Sequence, residues 1–157
     1  MLGKEIIMRE LAHVDFVANS PEEIFDVMGK ELERLGYVNE RYIPSIKARE
    51  EKYPTALPTE PYPIAIPHTD VDAIEKPFIA ALRLSRPISW TDMSDHDLTH
   101  EVKLVFMLGF KEAGAHIELL QILMHNVMRP DWMKSLLAAS SVDEFYDAVM
   151  QLEWTHD

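Results

Sequence analysis

The sequence contains no cysteine, so it can form neither disulfide bonds nor thiolate metal sites. It therefore gives no sign of an oxidising compartment. No apolar run approaches the roughly 18 residues that a membrane span needs. Residues 1–16 place Glu5, Arg9 and Glu10 among their apolar residues, which is not the pattern of a signal peptide. We expect a cytoplasmic protein without direct membrane insertion.

Basic residues are also few. The sequence has 15 Lys and Arg but 27 Asp and Glu, which gives a formal net charge of -12. Such a chain repels the phosphates of nucleic acids and of anionic membranes, so we exclude both as partners. A basic protein partner would suit the acidic surface, but a solvated surface without a partner explains the same charge. The five glycines do not form a GxxxxGK[ST] phosphate loop, which excludes that kind of nucleotide site.

The length and composition indicate an ordinary globular protein. The chain has 157 residues, and we expect residues 1–157 to form a single domain. Apolar residues make up 47% of the sequence and charged residues 27%, the balance of a soluble protein. A chain of this length can bury a sizeable core without disulfides.

Hydrophobic patterns along the chain predict both amphipathic helices and apolar strands. Ser20, Pro21 and Glu23 form the start signature of a helix that Gly36 ends, and Asn39 is the expected N-cap of a second helix. Strands are predicted over 14–18, 64–66, 78–85 and 102–110, and further helices over 39–52, 115–128, 131–139 and 141–154. This mixture indicates an α/β domain whose helices cover the faces of a sheet.

Three finer expectations concern individual segments. Residues 53–63 hold four prolines and are predicted to be an irregular connection. Residues 90–101 are predicted to be a polar loop. The apolar stripe predicted for the helix over 115–128 consists of Ile117, Leu120, Ile122, Leu123 and Val127.

His68 directly follows a predicted strand that Pro67 ends, because proline has no N–H to give a sheet ladder. Layered α/β proteins bind ligands in crevices beyond strand ends, and turn N–H groups there can bind an anion. Neutral imidazole is a nucleophile towards phosphorus and titrates near neutral pH. A histidine without a function in a surface turn would give the same pattern, so the local sequence leaves both interpretations open.

His116 and Arg49 are two further candidates for an anion site. His116 opens the predicted helix over 115–128, where backbone N–H groups and the helix dipole attract an anion. Arg49 lies near the end of the helix over 39–52, and its planar guanidinium can hold a phosphate. Each of them could instead be an ordinary residue at a helix end.

His96 and His100 are four residues apart within an acidic segment. On a helix this spacing could hold a metal ion, which would suit a metal-dependent hydrolase. Ser94, Asp95 and Asp97 favour a turn there instead, and no third, distant ligand stands out. We therefore predict no metal site and keep the hydrolase as a less favoured alternative.

The segments "AREEKYPTALPTEPYPIAIPH" and "HIELLQIL" resemble the IIA component of the sugar phosphotransferase system. In the mannitol–fructose type of that family, an Arg-Glu pair precedes a Pro-Thr or Ser-Thr step and an "IAIPH" or "IAVPH" segment, and a second histidine opens a later helix. The corresponding residues here are Arg49-Glu50, Pro54-Thr55, 64–68 and His116. The resemblance implies the mannitol-type IIA fold, which is a mixed β-sheet sandwiched between helical layers.

The resemblance also implies roles for these residues. His68 would be the phosphorylated nucleophile, which accepts a phosphoryl group from HPr and passes it to a IIB component. His116 would donate a hydrogen bond to the phosphoryl oxygens, and Arg49 would neutralise charge near the transferring group. The substrate-binding residues, which would surround this group, are Thr55, Pro67 and Thr69. The membrane component IIC would be an indirect partner, and neither a metal nor another cofactor is implied.

The stretch between Arg49 and His68 is similar in length to that of the galactitol-type branch, so we expect a galactitol-like specificity. Ala56 departs from the family pattern, because many members have glycine there, and alanine would be strained if the backbone needs a positive φ. His116 is a second departure, since galactitol-type members need not have it. A regulatory, nitrogen-type member that acts by protein binding would keep His68 and is the alternative function.

Overall fold

The structure, a computed structural model, describes residues 3–112 and 114–154. The strands within these residues are β1 (His13–Phe16), β2 (Ala56–Leu57), β3 (Ile64–Ala65), β4 (Phe78–Thr91) and β5 (Thr99–Gly109). The α-helices are α1 (Pro21–Arg34), α2 (Tyr42–Lys52), α3 (Ala115–Val127), α4 (Pro130–Ala138) and α5 (Val142–Val149). No helix of the described residues is both long and apolar enough to cross a membrane.

The five strands form one mixed sheet in the order β1-β4-β5-β3-β2. β4 and β5 are an antiparallel hairpin at its centre. β1 runs parallel to β4, β3 runs parallel to β5, and β2 closes the other edge antiparallel to β3. The mixed sheet expected from the family resemblance is therefore confirmed.

Helices cover both faces of this sheet. Successive residues of its central strands face opposite sides, so each strand contributes to two core clusters. Ala80 and Leu82 belong to a core cluster with the apolar side chains of α1 and α2. Ile79 and Ala81 belong to a second cluster with those of α3, α4 and α5. Strands covered on both faces have nearly continuous apolar sequences, as β4 and β5 do here. The predicted sandwich of helical layers around a sheet is confirmed.

Two helices begin as their sequences predict. The Ser20 hydroxyl accepts a hydrogen bond from the N–H of Glu23 at 3.3 Å, and Pro21 lies in the first turn of α1. The same arrangement recurs in α5, where the Ser141 hydroxyl accepts from the N–H of Glu144 at 3.1 Å. Each cap satisfies an amide that has no partner within the helix, which typically stabilises the helix by about 1 kcal/mol.

The start predicted for the second helix is wrong. α2 begins at Tyr42 with Arg41 as its N-cap residue. The Asn39 side chain accepts from the N–H of Arg41 at 2.9 Å and donates to the carbonyl of Asp72 at 2.8 Å. Asn39 therefore ties the turn before α2 to a distant segment instead of capping the helix.

The proline-rich connection contains a strand that the sequence analysis did not predict. Ala56 and Leu57 form β2 by pairing with Ala65 and Ile64 of β3. The concern about strain at Ala56 was wrong, because Asp15 alone has a positive φ among the described residues other than glycine. Ala56 is fully buried, so a small side chain suits this position.

Other boundaries differ because long-range pairing decides them. β4 and β5 extend into the predicted polar loop, where Trp90 pairs with His100. The last helix ends at Val149 rather than at the predicted residue 154. Ile117 belongs to the apolar stripe predicted for α3, but 55% of its surface is exposed, and Leu119 is buried instead.

Gly109 at the end of β5 provides a test of how tightly the sheet packs. The Phe78 ring lies over it, and a Cβ atom at residue 109 would be 2.2 Å from the Phe78 Cε1 atom. Phe78 is fully buried and cannot move into solvent. We therefore expect Gly109→Ala to lower the free energy of unfolding by about 2 kcal/mol, measured by urea denaturation. Phe78→Leu should recover part of this loss in the double variant, whereas strictly additive losses would contradict the clash.

Candidate functional site

His68 lies beyond the carboxyl end of β3, beside the end of β5. Ile64 pairs with Leu104 in the parallel ladder, and His68 still pairs with Leu108 in the same register. The carbonyl of Pro67 accepts a hydrogen bond from the N–H of Leu108 at 3.0 Å, so the chain follows β5 past the end of its own strand. The histidine is therefore held at the sheet edge where parallel strands end, which is a common ligand position in α/β folds.

The His68 ring is held in one tautomer. Its Nδ1 atom lies 2.8 Å from the carbonyl oxygen of Ile66, which can only accept a hydrogen bond. The neutral ring therefore carries its proton on Nδ1 and leaves a lone pair on Nε2. Burial is the largest effect on His68 and lowers its pKa, while the hydrogen bond to the Ile66 carbonyl opposes it. The nearby charges of Arg49 and His116 lower the pKa further, and Asp70 raises it least. The ring is thus neutral at pH 7, as a nucleophile must be.

A cleft of about 340 Å³ opens beside this ring. Four of the residues predicted from the sequence line it, namely Arg49, Thr55, His68 and His116. Pro67 and Thr69 do not line it, although both are buried next to His68 in the chain. The Thr69 hydroxyl donates to the carbonyl of Asp70 at 3.0 Å, which engages its polar group locally.

Positive charge gathers at this cleft although the whole chain is acidic. Arg49 and Lys52 both line the cleft, and both lie against the Tyr53 ring, at 5.5 Å and 5.3 Å from its centroid. Arg49 also donates from Nη1 to the Asp70 carboxylate at 2.9 Å. Such an ion pair on a partly exposed surface fixes a direction for the guanidinium more than it stabilises the fold.

His116 approaches the cleft from the first turn of α3. The Phe110 ring contacts both imidazoles, with centroids 5.9 Å from His68 and 5.3 Å from His116. Phe110 is buried, so it fixes the separation of the two histidines. Gly114 precedes the helix with a φ of 90°, a conformation that few other residues adopt. The first-turn amides of α3 add partial positive charge on this side of the cleft.

His96 and His100 lie in the β4–β5 hairpin rather than on the helix that their metal-site interpretation required. His100 Nε2 is 2.5 Å from Asp92, and the hydrogen bond to His100 is the largest cause that lowers the pKa of that carboxyl. His96 is exposed and lines the cleft beside His68. Among residues 3–112 and 114–154, no three His, Cys, Asp or Glu side chains form a cluster that could hold a metal ion.

The sequence around this cleft matches a known protein family. Residues 5–151 match the family model "Phosphoenolpyruvate-dependent sugar phosphotransferase system, EIIA 2". The chain belongs to this family. It is a IIA component, and hence a phosphocarrier of the phosphotransferase type. The family predicted from the Arg-Glu, Pro-Thr and "IAIPH" motifs is therefore confirmed.

The chain is similar to individual relatives in sequence and to solved structures in fold. The galactitol-specific EIIA component of Escherichia coli K12 is 27% identical over 124 residues, which is 79% of this chain and 81% of the relative. The nitrogen regulatory protein IIA-Ntr of Neisseria meningitidis has a TM-score of 0.73 at 23% identity, with 92% and 97% of the two chains covered. The complex of IIAMTL with phosphorylated IIBMTL from Escherichia coli gives 0.69 at 23% identity, covering 96% and 98%. The mannitol-type fold expected from the motifs is confirmed.

Glu50 is the residue of this IIA component whose position the sequence analysis missed. It is buried, and burial raises its pKa to about 7. The signal was its spacing, because Tyr42, Ile46 and Glu50 recur every four residues on the buried side of α2. Its carboxylate accepts from the N–H of Thr55 at 2.6 Å, the Thr55 hydroxyl at 2.8 Å and Trp90 Nε1 at 2.9 Å.

Proposed function

We propose that this IIA component carries a phosphoryl group on Nε2 of His68. The observation that supports it most is the neutral, buried imidazole whose Nδ1 donates to the Ile66 carbonyl while the ring lines a cleft with Arg49 and His116. HPr is the proposed donor and a IIB component the proposed acceptor. A IIB partner is supported by the related complex of IIAMTL with phosphorylated IIBMTL.

Phosphoryl transfer to this ring needs no general base. The lone pair on Nε2 attacks phosphorus, a new N–P bond forms, and the bond between phosphorus and the donor's leaving atom breaks with its electron pair. The proton on Nδ1 stays in place, and the Ile66 carbonyl stabilises the charge that the ring gains. Transfer to the acceptor reverses these steps, so the protein returns to its starting form.

The surrounding groups stabilise the charge of the transferring group. Arg49 lies near enough to the ring to lower the pKa of His68, and its guanidinium would bind the equatorial phosphoryl oxygens. His116 would donate a hydrogen bond from the opposite side, together with the first-turn amides of α3. Thr55 would shape the floor of the cleft. Pro67 and Thr69 are proposed to act by holding the backbone around His68, since they do not line the cleft.

The proposed physiological role is sugar uptake, with a galactitol-like sugar as the specific candidate and IIC as the indirect membrane partner. The galactitol-specific relative supports this sugar. The regulatory alternative keeps the same phosphorylated histidine and differs in what the modified protein binds. Transfer onward to a IIB component separates the two, because a regulator need not pass the group on.

The experiment is a reconstituted transfer. The protein is incubated with phosphoenolpyruvate, enzyme I and HPr, and the product is examined by intact-mass spectrometry and by phosphorus NMR. We expect one phosphoryl group per chain, labile in acid, attached to the ring of His68. Subsequent addition of a galactitol-type IIB component should discharge it. A chain that stays unmodified, or that carries an acid-stable phosphate, would refute the proposal.

The lowered pKa of His68 predicts how acceptance depends on pH. Only the neutral ring has the lone pair on Nε2, so acceptance should be constant at higher pH and fall only as His68 becomes protonated. Because burial lowers its pKa, the midpoint should lie below the ordinary value of 6.5. An NMR titration of the His68 ring protons, assigned with His68→Gln, measures this directly. A midpoint above 6.5 would contradict it.

A further inference from the structure

Glu50 lies outside the predicted set of functional residues, yet it contacts a segment that reaches His68. Its carboxylate accepts both the N–H and the hydroxyl of Thr55, the residue directly before β2. Trp90 Nε1, from the far end of β4, donates to the same carboxylate oxygen as the Thr55 amide. Three donors therefore converge on one buried carboxylate, an arrangement that determines where Thr55 lies.

Thr55 in turn contacts the segment that contains the histidine. Its carbonyl accepts from the N–H of Ile66 at 3.3 Å. Ala56 pairs with Ala65 in the antiparallel ladder of β2 and β3, and the Thr55–Ile66 bond is the next rung of that ladder. It is also the rung nearest His68. Ladder ends of two-residue strands fray readily unless a side chain holds them.

The final contact in the series sets the tautomer. The carbonyl of Ile66 accepts from Nδ1 of His68 at 2.8 Å. A continuous series of hydrogen bonds thus joins Glu50 to the His68 ring through Thr55 and Ile66. If the Thr55–Ile66 rung opens, the Ile66 carbonyl can rotate, and the neutral ring can then carry its proton on Nε2, where it blocks attack on phosphorus.

We infer that Glu50 is a positioning residue for phosphoryl acceptance, which holds Nε2 of His68 unprotonated through Thr55 and Ile66. The inference rests on the proposed function of His68, but the first measurement that tests it, the tautomer of the His68 ring, does not depend on that function. Glu50 touches neither the cleft nor the ring, and it acts only by fixing the last rung of β2 and β3.

The test compares two substitutions of Glu50 with opposite effects on the hydrogen bonds. In Glu50→Gln, the amide oxygen can still accept from the Thr55 amide and from Trp90, and the amide nitrogen can donate to the Thr55 hydroxyl. Glu50→Leu is similar in size and removes all three bonds. Glu51→Leu, the same change at an exposed neighbour on the same helix, is the matched control.

The first readout is the tautomer of His68, from ring nitrogen shifts in nitrogen-15-labelled protein. The second is the rate of phosphoryl acceptance from HPr. For Glu50→Leu we expect a mixture of both tautomers and a rate about tenfold lower. Glu50→Gln and Glu51→Leu should keep the single tautomer and rates within about threefold of the wild type. A simple loss of stability would not change the tautomer of the folded protein.

Several outcomes would overturn the inference. One is a folded Glu50→Leu with the wild-type tautomer and rate, and another is Glu50→Gln being as impaired as Glu50→Leu. If Glu50→Leu does not fold, Thr55→Val decides, because it removes the hydroxyl bond to Glu50 and keeps the amide bond. It should shift the tautomer in the same direction to a smaller extent, and an unshifted tautomer would reject the inference. The tautomer alone is the readout for this variant, since Thr55 lines the cleft. Failure of the wild type to accept phosphate would refute the proposed function instead, while the tautomer comparison would still stand.

Discussion

Replacement of His68 by glutamine should lower phosphoryl acceptance by at least about 1000-fold, because it removes the only atom proposed to form a bond to phosphorus. Glutamine can still donate a hydrogen bond to the Ile66 carbonyl and fills much of the same volume. The fold should therefore survive, since the buried ring is replaced by a side chain that satisfies its one local partner. Acid-labile phosphate on the protein, measured by intact-mass spectrometry after reaction with HPr, gives the result.

Two histidines of α3, His125 and His116, serve as comparisons for this variant. His125 is exposed and lies beside Glu153 at the other end of the helix, so His125→Gln should be labelled at the wild-type rate. His116→Ala should still be labelled, about tenfold more slowly, because it loses one hydrogen-bond donor at the cleft. Undiminished labelling of His68→Gln would mean that another residue is the nucleophile.

Replacement of Arg49 by glutamine should slow phosphoryl acceptance by about 100-fold. The guanidinium is oriented by Asp70 on one side and by the Tyr53 ring, so its position is set before a phosphoryl group arrives. A charge fixed in advance stabilises the transferring group without reorganisation during the reaction. Arg49→Lys should recover only part of the rate, because an ammonium group cannot bind two phosphoryl oxygens with a planar fork.

The control for this variant lies at the start of the same helix. Arg41 precedes α2 and is exposed at the end remote from the cleft, so Arg41→Gln removes the same charge without a change at the site. Stopped-flow or quenched-flow measurement of single phosphoryl transfers from HPr would compare the two. Equal rates for Arg49→Gln and Arg41→Gln would show that the charge acts at long range and not on the transferring group.

The main elements of the fold could be predicted from the sequence because their signals are local. Ser20 and Glu23 mark the start of α1 within four residues, and the apolar run of β5 needs no distant partner to be recognised. β2 could not be predicted, because two residues between prolines become a strand only through pairing with β3. The exposure of Ile117 depends likewise on where the first turn of α3 lies against the sheet.

The candidate site also has features that the sequence predicts and features that only the tertiary structure determines. Arg49, Thr55, His68 and His116 were found through motifs, and the fold brings them to one cleft. The tautomer of His68 depends on the direction of one carbonyl, which no residue pattern specifies. The burial of Glu50 depends in part on Trp90, which lies forty residues later and approaches through the β4–β5 hairpin. Contacts of that range are set by the tertiary structure.

The register between β3 and β5 also limits which insertions and deletions the chain can accept. Ala65 lies opposite Val105 and His68 lies opposite Leu108, so three steps along one chain match three steps along the other. One residue gained or lost between Ala65 and His68 would turn the imidazole towards the other face of the sheet. The turn over 58–63, by contrast, joins two paired strands at an edge, and its length can change at little cost. The distance along the chain from Arg49 to His68 is therefore free to vary, whereas the last three residues before the histidine are not.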